Sequence, residues 1–283
     1  MTPSSTSDTL PDGAHVGRTA LCVTDLEELT EFYREVVGLE VLTRGRTTAT
    51  LGSGGESLLV LEADEDALAR PRTGTGLYHN AFRVPSRRAL GDALTRVRDR
   101  WQLEGSADHD VSEALYLTDP EGNGIEVYRD RPREEWSFTA DGTVRMGTDP
   151  LDLGSLQADA AGKPRVPPGT DVGHVHLEVS SLEAFEEFYV DTLEFEVRAT
   201  VPGARFVAAG GYHHHVGANT WHHRTTAVGE RGLAWFEVVL PAATHLESLR
   251  VRLSERGIPV TETDDGVAVS DPDGIEIRFR TTA

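Results

Sequence analysis

The feature that most constrains this chain is an internal duplication. Asp119-Pro120-Glu121-Gly122 recurs as Asp271-Pro272-Asp273-Gly274, and Leu39-Glu40-Val41 is answered by Phe195-Glu196-Val197. The halves keep an offset of roughly 155 residues throughout, which marks a repeat architecture. Each half divides again, so the chain reads as four units of one plan, βαβββ.

In the first unit a strand over 19–23 precedes Thr24 and Glu27, a capping-box pair. Leu26, Leu29, Phe32 and Val36 then share one helical face, and Gly38 suits the stop. Three strands follow, over 39–42, 47–51 and 58–61. The second unit opens with a strand over 78–84, an N-cap at Ser86 and the stripe Leu90, Ala93, Leu94 and Val97. The third repeats the capping box as Ser180 and Glu183 and the stripe as Leu182, Phe185, Phe188 and Tyr189. The fourth has a strand over 233–240 and a helix face of Leu246, Leu249 and Leu253, stopped by Gly257. This predicts an α+β chain. Residues 1–13 form a disordered tail, 14–130 carry modules 1 and 2, 131–170 form a linker, and 171–283 carry modules 3 and 4. The linker's apolar residues, Trp136, Phe138 and Leu156 among them, lack a period and predict an ordered wrap.

Charge narrows the partners. The formal net charge is −20, and Lys163 is the single lysine. Such a surface repels nucleic acid and anionic membranes. It also fits a salt-rich cytoplasm, where screening makes dense carboxylates tolerable. No apolar run is long enough to span a bilayer. The N-terminal residues lack the pattern of a secretory signal, so a cytoplasmic location is expected. Cys22, the lone cysteine, excludes an internal disulfide and is expected as a buried thiol. A homo-oligomer is left open.

The chemistry concentrates between His109 and Tyr128. Residues 115–117 read as a strand, Asp119 to Gly124 as a turn, and 125–128 as the returning strand. Glu126 and Tyr128 then share one face and Ile125 and Val127 the other. His109, Leu115-Tyr116, Asp119-Pro120, Gly122 and Glu126 together resemble the signature of the type I extradiol ring-cleavage dioxygenases, in the vicinal oxygen chelate superfamily. Ala107 departs from that signature, which prefers Gly, Asn, Thr or a β-branched residue there. GLYHNAFRVP and GYHHHVGANTW are similar to the two-domain catechol 2,3-dioxygenases. The resemblance implies four βαβββ modules paired into two curved-sheet domains, the vicinal oxygen chelate fold. It implies Fe(II), with Mn(II) as the alternative, and a small aromatic diol and dioxygen as substrates.

In that superfamily a metal ligand lies five residues before a Val that ends each first strand. That position holds Arg18, His79, His174 and Leu233 in modules 1 to 4. Arginine and leucine are not ligands. The last strands are expected to add Leu59, Glu126, the run Tyr212-His213-His214-His215, and Glu276. His79, His174 and Glu126 form two imidazoles and a carboxylate, a set suited to non-haem Fe(II). His176 ranks second to His174. The resemblance implies that His214, two residues before Val216, transfers protons, and that His109 and Tyr116 contact substrate. His222, His223 and His245 are read as surface histidines.

Assembling the ligand set requires module 2 to pair with module 3, leaving modules 1 and 4 as a metal-free pair. The rival is a C-terminal site of His174, one of His213 to His215, and Glu276. Two other functions compete with the dioxygenase. One is a glyoxalase-type isomerase or lyase, which takes a carboxylate from both last strands. The other is a non-catalytic protein that binds a small aromatic or a drug.

Overall fold

The computed structural model of the chain describes residues 9–140 and 142–282. Module 1 comprises β1 (His15–Val23), α1 (Leu26–Phe32), β2 (Glu40–Arg44), β3 (Thr48–Ser53) and β4 (Glu56–Ala63). Module 2 comprises β5 (Gly76–Arg83), α2 (Arg87–Arg100), β6 (Gly105–Asp108), β7 (Ser112–Thr118) and β8 (Gly124–Asp130). A short helix, α3 (Leu153–Ala158), lies between the halves. Module 3 comprises β9 (Asp171–Glu178), α4 (Leu182–Phe185), β10 (Glu196–Val201), β11 (Ala204–Ala208) and β12 (Val216–Asn219). Module 4 comprises β13 (Gly232–Leu240), α5 (Ala243–Glu255), β14 (Thr261–Thr263), β15 (Gly266–Ser270) and β16 (Glu276–Thr281).

The modules pair across the halves. β1 runs antiparallel to β13, which joins modules 1 and 4 in one eight-stranded sheet, ordered β14-β15-β16-β13-β1-β4-β3-β2. β5 runs antiparallel to β9, which joins modules 2 and 3 in the other, ordered β10-β11-β12-β9-β5-β8-β7-β6. The central strands pack β1 on β9 and β13 on β5. One buried apolar cluster runs through both sheets, with Leu21, Phe236 and Phe279 from the first and Phe82, Val127 and Val175 from the second.

The helix starts of modules 1 and 3 lie one residue beyond the expected caps. Asp25 accepts from Glu28 N, and Ser181 accepts from Ala184 N. The expected caps are engaged by acids distant in sequence. Thr24 N and Oγ1 both donate to Glu121 Oε1 at 2.7 Å, and Ser180 N donates to Asp273 Oδ2 at 2.9 Å. These acids sit in the two Asp-Pro turns, where Gly122 and Gly274 hold φ of 86° and 85°. A side chain would strain that left-handed backbone. In the same turns Asp119 accepts from Tyr33 Oη and Asp271 from Tyr189 Oη, each at 3.1 Å. The turns thus tie module 1 to module 2 and module 3 to module 4, while strand pairing ties each half to the other.

The linker is a fitted strap. Asp92 on α2 accepts from Ala161 N and Gly162 N, and Val166 N donates to Gly38 O. Further back, Asp149 exchanges backbone hydrogen bonds with Asp108. Leu10, within the expected tail of residues 1–13, is buried and donates its N–H to Glu194 O. Residues 1–8 of that tail lie outside the described residues. Cys22 is half-buried rather than buried, since its side chain alternates with those facing the core. Among the described residues no helix is long and apolar enough to cross a membrane.

Candidate metal centre

Strand alternation decides which β5 side chains meet the cavity. Asn80 turns away and donates to Thr19 Oγ1 at 2.6 Å, and Phe82 enters the core. His79 points the other way. Ala81 lies opposite both Glu126 on β8 and His174 on β9. Its small side chain leaves room for theirs. His79 Nε2 lies 3.0 Å and His174 Nε2 3.2 Å from Glu126 Oε2, and the two nitrogens are 3.3 Å apart. All three residues are buried. Among the described residues this is the one group of three His, Cys, Asp or Glu side chains whose ligand atoms converge.

The donor set fits a divalent metal. Right-angled coordination with bonds of about 2.1 Å places neighbouring ligand atoms about 3.0 Å apart, close to these separations. Protonation states agree. Burial pushes the Glu126 carboxyl up, but His174 and His79 beside it hold it well below the usual carboxylate range. Burial lowers His174 to about 4, outweighing the pull of Glu126. An ionised carboxylate beside a neutral imidazole is the form a metal takes up. His174 Nδ1 is buried without a hydrogen-bond partner, and the ring is held by packing against His214 and Tyr128.

A second group faces this one. β7 and β8 place Tyr116 directly opposite Glu126, so their side chains share a face. Tyr116 Oη lies 2.7 Å from His109 Nε2. His109 Nδ1 lies 2.7 Å from Gly147 O, a carbonyl that only accepts. In the neutral ring Nδ1 then carries the proton, and Nε2 accepts a hydrogen bond from Tyr116 Oη. Burial and the nearby Glu126 raise the Tyr116 phenol well above its ordinary range, so it stays protonated. Gly147 belongs to the strap between the halves. No sequence period pointed to it.

The histidine run behaves differently from a strand. His213, His214 and His215 precede β12 in a loop that follows Gly210 and Gly211, with φ of 60° and 66°. His214 lines the cavity, with its ring centroid 4.0 Å from that of His174. Burial, with His174 and His213 nearby, lowers the His214 imidazole well below its usual range. His215 Nδ1 accepts from Ala209 N at 3.1 Å. His176 stands outside the converging group: Asn219 Nδ2 lies 3.1 Å from its Nε2. His222 is exposed and pairs with Glu178.

Strand register corrects two expected ligand positions. Glu126 faces Ala81, two residues after His79. The matching place in module 3 faces His176 and is Gly217, not the histidine run. In module 1 it is Val60, not Leu59. In module 4 it is Glu276, opposite Trp235. Glu276 lies on the other sheet, bound by Arg278 Nε at 2.7 Å, so it does not meet His174.

The cavity lined by His79 and Glu126 has a volume of about 550 Å³. Val111, Leu117, Ile125, Met146, Phe206 and Trp221 supply apolar wall, and no lysine or arginine lines it. The described lining residues come from module 2, module 3 and the strap, and none from modules 1 and 4.

The Glyoxalase/Bleomycin resistance protein/Dioxygenase superfamily model matches residues 15–127 and 171–279. The chain belongs to this superfamily. Catechol-2,3-dioxygenase of Bacillus subtilis (strain 168) is 40% identical over 270 residues, covering 92% of this chain and 95% of its own. Among solved structures, a candidate dioxygenase from Bacillus subtilis subsp. subtilis str. 168 has a TM-score of 0.66 at 12% identity, over 96% of this chain and 86% of its own. Glyoxalase I from Zea mays has a TM-score of 0.57 at 16% identity, over 94% and 92%. These structural likenesses speak to fold.

As a superfamily member with four modules in one chain, the protein has two comparable sheet faces, and they differ in chemistry. In the sheet of modules 1 and 4, Arg18 stands where module 2 has His79. Its Nε lies 3.0 Å from both oxygens of buried Glu237, which also accepts from Arg280 Nε at 3.1 Å. Two guanidinium groups on one carboxylate hold that face as an ion-pair cluster.

Proposed function

We propose that the protein is an Fe(II)-dependent extradiol ring-cleavage dioxygenase acting on a neutral aromatic diol, with Mn(II) as the alternative metal. The observation that carries this reading is the convergence of His79, Glu126 and His174, of which His79 and Glu126 line a cavity together with His109, Tyr116 and His214. The near full-length likeness to a catechol-2,3-dioxygenase supports it. Gly217 counts against a glyoxalase-type isomerase, because that position would have to supply the second carboxylate. A Cβ there would meet the His176 ring at 3.1 Å.

His79, His174 and Glu126 would hold the metal, which would supply Lewis acidity favouring the deprotonated diol and a redox partner for dioxygen. The chain supplies the rest. His214, neutral and on the cavity wall, takes a diol proton and returns it as the ring opens. Tyr116 directs its proton to His109 Nε2, so its oxygen accepts a hydrogen bond from a substrate hydroxyl. Apolar wall excludes water and strengthens both contacts. In the net reaction one ring C–C bond beside the diol and the O–O bond break. Both oxygen atoms enter the product, and no external reductant is needed.

Substrate charge follows from the lining. A buried carboxylate without a cation costs several kcal/mol. The cavity also exceeds what a single ring needs. Protein loaded anaerobically with Fe(II) or Mn(II) is expected to consume oxygen and form yellow ring-opened product with alkyl- or aryl-substituted catechols. Their kcat/KM should exceed that of carboxylate-bearing catechols by roughly a hundredfold or more. Equal rates on both would contradict the neutral-substrate assignment. No oxygen uptake with any diol would remove the dioxygenase reading itself.

A further inference from the structure

Behind His214 stand two residues in series, His213 and then Asp130, that the reaction leaves unused. Asp130, at the end of β8, lies 2.9 Å from His213 Nε2. Its carboxylate also accepts from Arg83 Nη1 at 2.9 Å and from Tyr212 Oη at 2.9 and 3.2 Å. Tyr128 Oη lies 2.9 Å from Tyr212 Oη. His213 Nδ1 in turn lies 2.7 Å from His214 Nδ1. His213 and His214 are both buried.

We infer that Asp130 and His213 are positioning residues that fix the tautomer of His214, so that its Nε2 lone pair is offered to the cavity. The chain of donors admits one direction. An ionised carboxylate only accepts, so His213 donates from Nε2. In the neutral imidazole a ring that donates from Nε2 has no second proton to give. Its Nδ1 is then a bare acceptor. A nitrogen–nitrogen distance of 2.7 Å needs a proton between, and His214 Nδ1 must supply it. The remaining His214 nitrogen, Nε2, carries no proton and has no hydrogen bond to protein among the described residues. A histidine's role is set in this way by what its second nitrogen touches. The same contacts fix the ring's orientation against His174. The directionality begins at a residue from module 2 and ends on module 3, so it exists only because those modules share a sheet.

This inference rests on His214 being the proton-handling group, and its test separates the two ideas. Protein labelled with ¹⁵N-histidine and loaded with diamagnetic Zn(II) is examined by two-bond ¹H–¹⁵N spectroscopy, with His213→Phe and His214→Phe spectra giving the assignments. In the unaltered protein His213 should appear as the Nε2–H form and His214 as the Nδ1–H form. His213→Phe keeps the ring volume and removes the acceptor, so His214 should gain the Nε2–H form. The Fe(II) enzyme should then lose about tenfold or more in kcat with metal content and KM little changed. Asp130→Asn should weaken the same preference through a milder change. His214 found as Nε2–H in the unaltered protein, or unchanged in both variants, would overturn the inference. A tautomer change with full kcat would uphold the positioning and instead remove His214 from the proton role.

Discussion

Glu126→Ala is expected to yield folded protein that no longer retains metal, with ring cleavage lost alongside it. The fold should survive because Glu126 contributes a buried charge rather than apolar packing, and its removal relieves the cost of burying that carboxylate. The metal should not, because two imidazoles alone lack the anionic donor that a divalent ion needs in a buried site. Glu276→Ala is the matched control. Glu276 is 38% exposed, lies on the other sheet and is bound by Arg278. Its loss should leave metal content and turnover near those of the parent. Metal analysis of the two purified variants after identical loading decides the matter. Metal kept by Glu126→Ala and lost by Glu276→Ala would reverse the account.

His214→Phe separates catalysis from ligation. Phenylalanine preserves the ring that packs on His174, with Phe206 and His213 as its other ring neighbours. Metal content should therefore match the parent, while kcat falls between about 10²- and 10⁴-fold, the usual range for losing a positioned acid–base group. KM should change little, because Tyr116 and the apolar walls remain. Loss of metal in this variant would make His214 a ligand and require a different donor set.

Much of this fold was legible in the sequence, and the reasons are local. Helical stripes such as Leu90, Ala93, Leu94 and Val97 repeat at the helical period, and the Asp-Pro turns carry their own turn chemistry. The repeat fixed four units, and the distribution of ligand-type residues between Arg18, His79, His174 and Leu233 pointed to modules 2 and 3 sharing a sheet. What could not be read depends on partners far along the chain. Thr24 and Ser180 have the spacing of N-caps, yet Glu121 and Asp273 engage them from the next module. Gly217 occupies the position matching Glu126 because strand pairing, not local pattern, sets register. The histidine run has no turn former within it, so the two left-handed glycines before it were the available signal that it is a loop. The strap's contribution to the cavity was hidden for a related reason. Met146, Gly147 and Thr148 line it through irregular backbone that has no period.

The position of the metal decides between the two candidate sites. Crystals grown anaerobically with Fe(II) and measured at the iron absorption edge locate it directly through anomalous scattering. One strong peak per chain is expected, between His79 Nε2, His174 Nε2 and Glu126 Oε2. A peak beside Glu276 or within the run His213 to His215, or no peak at the three converging side chains, would contradict it.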